Sequence, residues 1–351
     1  MHEEDFKKMT EYFLRNKRDI RTILREKVPD HHPFTRILKV YFPDGKEERF
    51  VVKILKSEEG TADKSVSDIL HEIAVQRELK KLGFAVREYL LFETTMNNPI
   101  GFPFSVATCL KGNSLNTMPL QTVSFVIPKV LDYLYDLHSK TISNSFGYSL
   151  KPKRRYTGKA SIRFAEFESK YLLADIQRDN IEFNAIERKD LMRAVNLLNN
   201  ARLFCLCHSD VTLSNIIWDG SNVHLIDWSY SHFSEPTFDI AYTIFWLLEF
   251  GFLDQAKEEI QRSFERYQLL GFNIVPRFLF YLVYKYIEFG RFKGVSYIKQ
   301  GKQLLKEIPS KSLEDLLSSI TKISKKNPLN SEGFFIPLRV FFLERLGIIE
   351  I

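Results

Sequence analysis

Two short stretches of the chain hold the residues best suited to chemistry. The first runs Cys207-His208-Ser209-Asp210-Val211-Thr212-Leu213-Ser214-Asn215. The second is Leu225-Ile226-Asp227-Trp228, and Phe238-Asp239-Ile240-Ala241 follows it. Asn215 offers a neutral amide oxygen and Asp227 a charged one, and a hard cation such as Mg²⁺ takes oxygen ligands. An Asp and an Asn in a polar loop can also be plain turn chemistry, since both residue types favour turns. Asp227 resists that reading. A carboxylate flanked by Leu225, Ile226 and Trp228 costs several kcal/mol unless it is paired or bound to metal.

These residues need elements to position them. Residues 35–42 alternate and are β-rich, Pro43-Asp44-Gly45-Lys46 signals a turn, and Glu47 to Leu55 reads as the returning strand of a hairpin. A strand near 20–28 would precede them, and residues 3–19 read as a charged helix. Val66, Ile69, Leu70, Ile73, Leu79 and Leu82 follow helical spacing up to Gly83. Residues 86–93 and 102–110 read as two more strands, so the first third is β-β-β-α-β-β. After Gly112 the pattern turns helical. Val123, Val126, Val130, Leu134 and Leu137 mark one helix, with Pro128 as a kink point. Phe164, Phe167 and Tyr171 mark the next, and residues 187–199 a third. Residues 203–207 and 223–227 are short strand-like runs around the polar loop, and helices follow from Phe238 onward. The expected class is α+β: a small N-terminal β-sheet lobe with one main helix, residues 1–110, then a large mostly helical lobe, residues 111–351.

Composition narrows the classes. The 351 residues are 44% hydrophobic and 27% charged, the balance of a globular protein. A formal net charge of +6 suits an anionic ligand such as a nucleotide without demanding one. The one basic run, Lys151-Pro152-Lys153-Arg154-Arg155, reads as a solvated loop, and no nucleic-acid partner is expected. The N-terminal residues carry no apolar signal core, and no apolar stretch is long enough to span a bilayer, so a cytoplasmic location without a membrane partner is expected. Three cysteines, Cys109, Cys205 and Cys207, argue for a reducing compartment and against a disulfide framework. Cys205-Leu206-Cys207-His208 looks metal-like at first sight. No second pair stands at zinc spacing, and on an alternating strand the two thiols share one face, as small packing residues do.

The loop, the Ile226-Asp227-Trp228 run and Phe238-Asp239-Ile240-Ala241, in that order, resemble the aminoglycoside phosphotransferase and choline kinase superfamily. Its loop reads His-x-Asp-x-x-x-x-Asn, followed by Ile-Asp-Trp or Ile-Asp-Phe and then Asp-Leu-Ala. The resemblance implies a bilobal protein-kinase-like fold and transfer of the γ-phosphate of ATP, or another NTP, with Mg²⁺ to a hydroxyl of a small molecule. It makes Asp210 the group that accepts or orients the acceptor proton, Asn215 and Asp227 the metal ligands, and His208 and Asp239 braces of the loop. Upstream, Arg49-Phe50-Val51-Val52-Lys53 resembles the strand whose lysine contacts nucleotide phosphates, and His71-Glu72 lies in the helix whose glutamate pairs with it. Lys56 and Glu78 are the alternatives. Residues 104–112 resemble the hinge, where adenine would bond to backbone groups of Ala107, Thr108 and Cys109. The chain departs from the pattern at Val28–Thr35, which lacks the glycines of a phosphate-covering loop, at Ser209, where the family often has glycine, and at Ser234-Glu235-Pro236.

Two rival functions stand beside this one. A protein kinase would carry arginine at Ser209, Phe-Gly after Asp227 and a later Ala-Pro-Glu, none of which is present. A nucleotide-binding pseudokinase would lack residues for metal and base, and both are here. Within the family reading, an aminoglycoside-type acceptor stands beside choline, ethanolamine or sugar acceptors. Glu166, Glu168, Asp175, Asp179, Glu249 and Glu288 are the acids that could meet a cation, though scattered acids are more often solvated surface.

Overall fold

The alternation of Thr35–Tyr41 against Glu47–Ile54 produces the expected hairpin. In the computed structural model, which describes residues 22–26, 35–41, 45–54, 62–98, 101–148, 150, 156–157, 163–178, 180–308 and 312–325, β2 (Thr35–Tyr41) and β3 (Glu47–Ile54) pair antiparallel with Leu38 opposite Phe50. β1 (Thr22–Glu26), β4 (Tyr89–Glu93) and β5 (Phe104–Thr108) complete a five-stranded antiparallel sheet in the order β1-β2-β3-β5-β4. Phe50, Val52, Phe104 and Val106 are buried at its centre. The helix expected to cover the sheet is α1 (Ala62–Lys81). It ends at Gly83, whose φ of +88° suits glycine, and the Phe84 N–H reaches back to the Leu79 carbonyl at 3.0 Å. Ile69, Ile73 and Leu79 are buried, but Leu70 is 49% exposed because it falls off the stripe those residues define. The expected helix at 3–19, the loop at 28–34 and the basic run at 151–155 lie outside the described residues.

The chain divides into two compact units. One gathers the residues up to Gly112 together with Ile226–Ser229, and the other gathers Asn113–Leu225 with the segment that begins at Tyr230. The second unit is mostly helical. α2 (Leu120–Lys140), α3 (Phe164–Arg178), α4 (Ala185–Leu197), α5 (Thr237–Glu249), α6 (Leu253–Leu269), α7 (Val275–Lys293), α8 (Val295–Leu305) and α9 (Leu313–Lys325) build it. Every residue of α5 from Thr237 to Leu247 is buried, the signature of a helix apolar on all sides that forms the centre of a core. Pro128 sits inside α2 and cannot donate to the Ser124 carbonyl one turn back. The Gln255 side chain of α6 donates to that carbonyl instead, at 2.7 Å, and Arg262 donates to the Pro128 carbonyl at 3.0 Å. No helix among the described residues is long and apolar enough to cross a membrane.

Short strands frame the polar loop. β6 (Asn113–Ser114), β10 (Ile216–Trp218) and β11 (Val223–Leu225) form one small sheet, with Ile216 opposite Leu225. β9 (Cys205–Cys207) pairs with β12 (His232–Ser234), and β7 (Ser145–Phe146) with β8 (Tyr156–Thr157).

Candidate active site

Strand β9 delivers the chain into the loop His208–Asn215, and the first turn of α5 grips it there. Asp239 is fully buried. Its Oδ2 accepts the His208 N–H at 2.7 Å and its Oδ1 accepts the Ser209 N–H at 2.8 Å. One carboxylate thus satisfies two successive amides. His208, also fully buried, accepts the Asp210 N–H on Nδ1 at 3.2 Å. Further along, the Trp246 indole donates to the Val211 carbonyl, and the Ser114 hydroxyl lies 3.0 Å from the carbonyls of both Leu213 and Ser214.

Within this frame Asn215 and Asp210 meet. The Asn215 amide nitrogen donates to the Asp210 carboxylate at 2.8 Å and to the Asp210 carbonyl at 3.0 Å. Both bonds use the NH₂ end, so the amide oxygen is turned away from Asp210. Such a neutral oxygen suits a hard divalent cation. Asn215 immediately precedes β10, and Asp227 comes two residues after Leu225, the β11 residue registered with Ile216.

The first unit carries the other half of the expected set. Lys53, on β3, lies 3.3 Å from Glu72 Oε2 and 3.4 Å from Asp227 Oδ1. Glu72 is fully buried on α1, and the Gln76 amide one turn later donates to its other oxygen at 2.9 Å. Burial alone would pull the Lys53 ammonium down, but Glu72 and Asp227 outweigh it and hold it above the usual lysine range. Asp227 Oδ1 also accepts the Ser229 hydroxyl at 3.0 Å. Of the alternatives, Glu78 is exposed and pairs with Lys81, and Lys56 lies outside the described residues. Ala107 and Thr108 are in β5, opposite Val51 and Phe50. The Thr108 N–H donates to the Glu88 carbonyl and the Cys109 N–H to the Arg49 carbonyl, both at 2.9 Å. Those two amides are therefore engaged inside the sheet, not held for a base.

Backbone strain concentrates in the same residues. Among described residues other than glycine, positive φ occurs at Asn180, Ser209 (+68°) and Asp227 (+64°). The left-handed region costs such a residue roughly 1–2 kcal/mol. Strain of this kind persists where the surroundings over-determine it, which functional sites commonly do.

Sequence reasoning missed one member of the grip. His138, near the end of α2, is fully buried, with Nε2 3.2 Å from Asp239 Oδ2 and Nδ1 2.7 Å from the Tyr267 hydroxyl. Burial would lower its pKa, but the bonds to Asp239 and Cys207 outweigh that and raise it to about 9. The imidazolium in turn holds Asp239 below the usual carboxylate range against the effect of burial. Its only signal in the sequence was a histidine on an otherwise apolar helix face. His138, Cys205 and Cys207 also place ligand-type atoms within 4.8 Å of one another. Both ring nitrogens are already engaged, and burial pushes both thiols up. The cluster therefore reads as packing around the brace.

Comparison with known proteins matches residues 38–272 to the phosphotransferase enzyme family. The chain belongs to this family. A search of curated proteins gave no match. Among solved structures, the aminoglycoside phosphotransferase APH(4)-Ia matches this family member with a TM-score of 0.54 at 14% identity, covering 92% of this chain and 99% of that one. A thermostable mutant of that enzyme, in ternary complex with AMP-PNP and hygromycin B, matches at 0.53 with 13% identity over 91% and 98%. The macrolide 2′-phosphotransferase MphH from Brachybacterium faecium matches at 0.52 with 11% identity over 86% and 99%. At these identities the likenesses establish the fold. This phosphotransferase has the α+β, kinase-like fold, with an antiparallel sheet and one main helix in its first part and a mostly helical remainder.

Proposed function

We propose that this phosphotransferase moves the γ-phosphate of ATP, or of another NTP, to a hydroxyl of a small molecule. The observation that carries the reading is the pairing of Asp210 with Asn215 in a loop gripped at two amides by Asp239. Asp210 accepts or orients the proton of the acceptor hydroxyl. The Lys53 ammonium, steadied by Glu72, neutralises phosphate charge. Magnesium would take the oxygens of Asn215 and Asp227, and when bound it supplies charge neutralisation at the phosphates. Support for a nucleotide donor comes from the AMP-PNP in one structural relative. Adenine would draw on backbone groups of the Ala107–Cys109 stretch other than the two engaged amides.

The acceptor reading is a compact hydroxylated molecule with at most one or two positive charges. A polycation needs many available carboxylates. Three of the acids flagged in the sequence are already committed: Glu168 to His232 and Ser234, Glu249 to Tyr297, and Glu288 to Lys285. The test is acceptor-dependent ADP formation across aminoglycosides, choline-like amines, amino acids and sugars. Efficient turnover of polycationic aminoglycosides alone would contradict this acceptor class. Nucleotide binding without turnover of any acceptor would favour a pseudokinase.

A further inference from the structure

Ser209 holds a left-handed backbone although it carries a Cβ, and it does so at the residue just before Asp210. Glycine would take that conformation freely. A serine there needs holding, and it is in this turn that two successive amides, of His208 and Ser209, reach the Asp239 carboxylate. Ser209 Oγ lies 3.0 Å from Nδ1 of His232. The same nitrogen lies 3.0 Å from the Tyr230 carbonyl, which only accepts, so Nδ1 carries a hydrogen. His232 Nε2 faces Glu168 Oε2 at 3.4 Å, and the Ser234 hydroxyl donates to Glu168 Oε1 at 2.8 Å. His232, Glu168 and Ser234 are all buried. The imidazole is walled by Tyr148, Phe167 and Phe238, with ring centres 5.1, 5.6 and 6.0 Å away. Strand pairing sets the ring in place, since His232 is registered with Cys207, two residues before Ser209.

We propose that Glu168, His232 and the Ser209 hydroxyl form a positioning relay that holds residue 209 in its left-handed turn and so aims Asp210. The effect on turnover rests on the phosphotransferase reading; the effect on the loop does not. None of the three touches the reacting atoms in this assignment. Glu168 fixes the ring, the ring fixes the hydroxyl, and the hydroxyl fixes the backbone that Asp239 grips.

The experiment compares Ser209→Ala, Ser209→Gly, His232→Phe and the double variant Ser209→Gly/His232→Phe. The first readout is hydrogen–deuterium exchange of the His208 and Ser209 amides. In Ser209→Ala and His232→Phe these amides should exchange faster by about tenfold or more, because the loop opens locally. Ser209→Gly alone should stay near the parent protein. In the double variant Ser209→Gly should suppress the His232 defect to within about threefold of the parent, a non-additivity expected only if the two residues are coupled. A double variant as fast as His232→Phe, or an unchanged Ser209→Ala, overturns the relay. If His232→Phe does not fold, Ser209→Ala and Ser209→Gly decide: a fast alanine and a slow glycine variant support it, and two alike overturn it. The second readout is Mg-ATP hydrolysis with water as acceptor. There kcat should fall in the fast-exchanging variants while KM for Mg-ATP stays put. The predicted exchange pattern in a protein that turns over no ATP would leave the relay standing and remove the functional reading.

Discussion

Asp239 and Asp227 both contact a cationic side chain, yet they are built for different work. Asp239 is fully buried and saturated, with two amides and the His138 ring on its two oxygens. Asp227 is a third exposed, sits on strained backbone, and shares its Oδ1 between Lys53 and Ser229. The saturated carboxylate has nothing left for a ligand and serves the fold. The exposed one can exchange its partners, which is what the metal-ligand role proposed for it requires.

The largest effect should come from breaking the saturated one. Asp239→Ala leaves a buried imidazolium and two amides without their acceptor, so unfolding stability should drop by about 3–5 kcal/mol. Asp227→Ala should change stability by no more than ~1 kcal/mol, as for a partly exposed pair, while Mg²⁺-dependent nucleotide binding is lost. Denaturant titration of both variants, with calorimetric titration of Mg-ATP into the second, reads the contrast. Equal stability losses would erase it.

The pH dependence sharpens the same point. His138 has its folded pKa raised to about 9, above the ordinary value near 6.5. Its contribution is therefore complete below that ordinary value and is lost as pH rises from there through about 9. Over that window the parent protein should lose up to about 3 kcal/mol relative to His138→Gln. Parallel stability curves would mean that the ring is not charged in the folded protein.

Coupling of Lys53 to Glu72 should be smaller. A double-mutant cycle with Lys53→Met and Glu72→Ala, read as kcat/KM for Mg-ATP, should give an interaction of about 1–2 kcal/mol. Additive losses would separate the pair. Smallest is Gln255→Ala, which leaves the Ser124 carbonyl above Pro128 without its donor and should cost about 1 kcal/mol of stability with activity intact.

What the sequence disclosed, and what it hid, follows the range of the interactions. The β2–β3 hairpin was legible because alternation and a turn signal are local. The loop from His208 to Asn215 was legible because its polar residues stand together after an apolar run. His138 was not, because its partners Asp239 and Tyr267 are far along the chain and a lone histidine on an apolar face predicts nothing by itself. The same holds for Ser209, whose support comes from His232 and Glu168 on a different strand and helix. Leu70 was misplaced because its neighbour Ile69 already fills the buried stripe. The Thr108 and Cys109 amides were engaged by sheet partners that no local pattern names.

The most direct measurement compares acceptor-dependent ADP formation by the parent protein and Asp210→Asn, with Mg-ATP affinity measured on both. The substitution keeps the size of the side chain and removes the carboxylate proposed to take or orient the acceptor proton. The expected result is turnover by the parent, a fall in kcat of at least about a hundredfold in the variant, and Mg-ATP affinity largely retained. A fall of less than about tenfold, worth only ~1.4 kcal/mol, would contradict the assignment of Asp210.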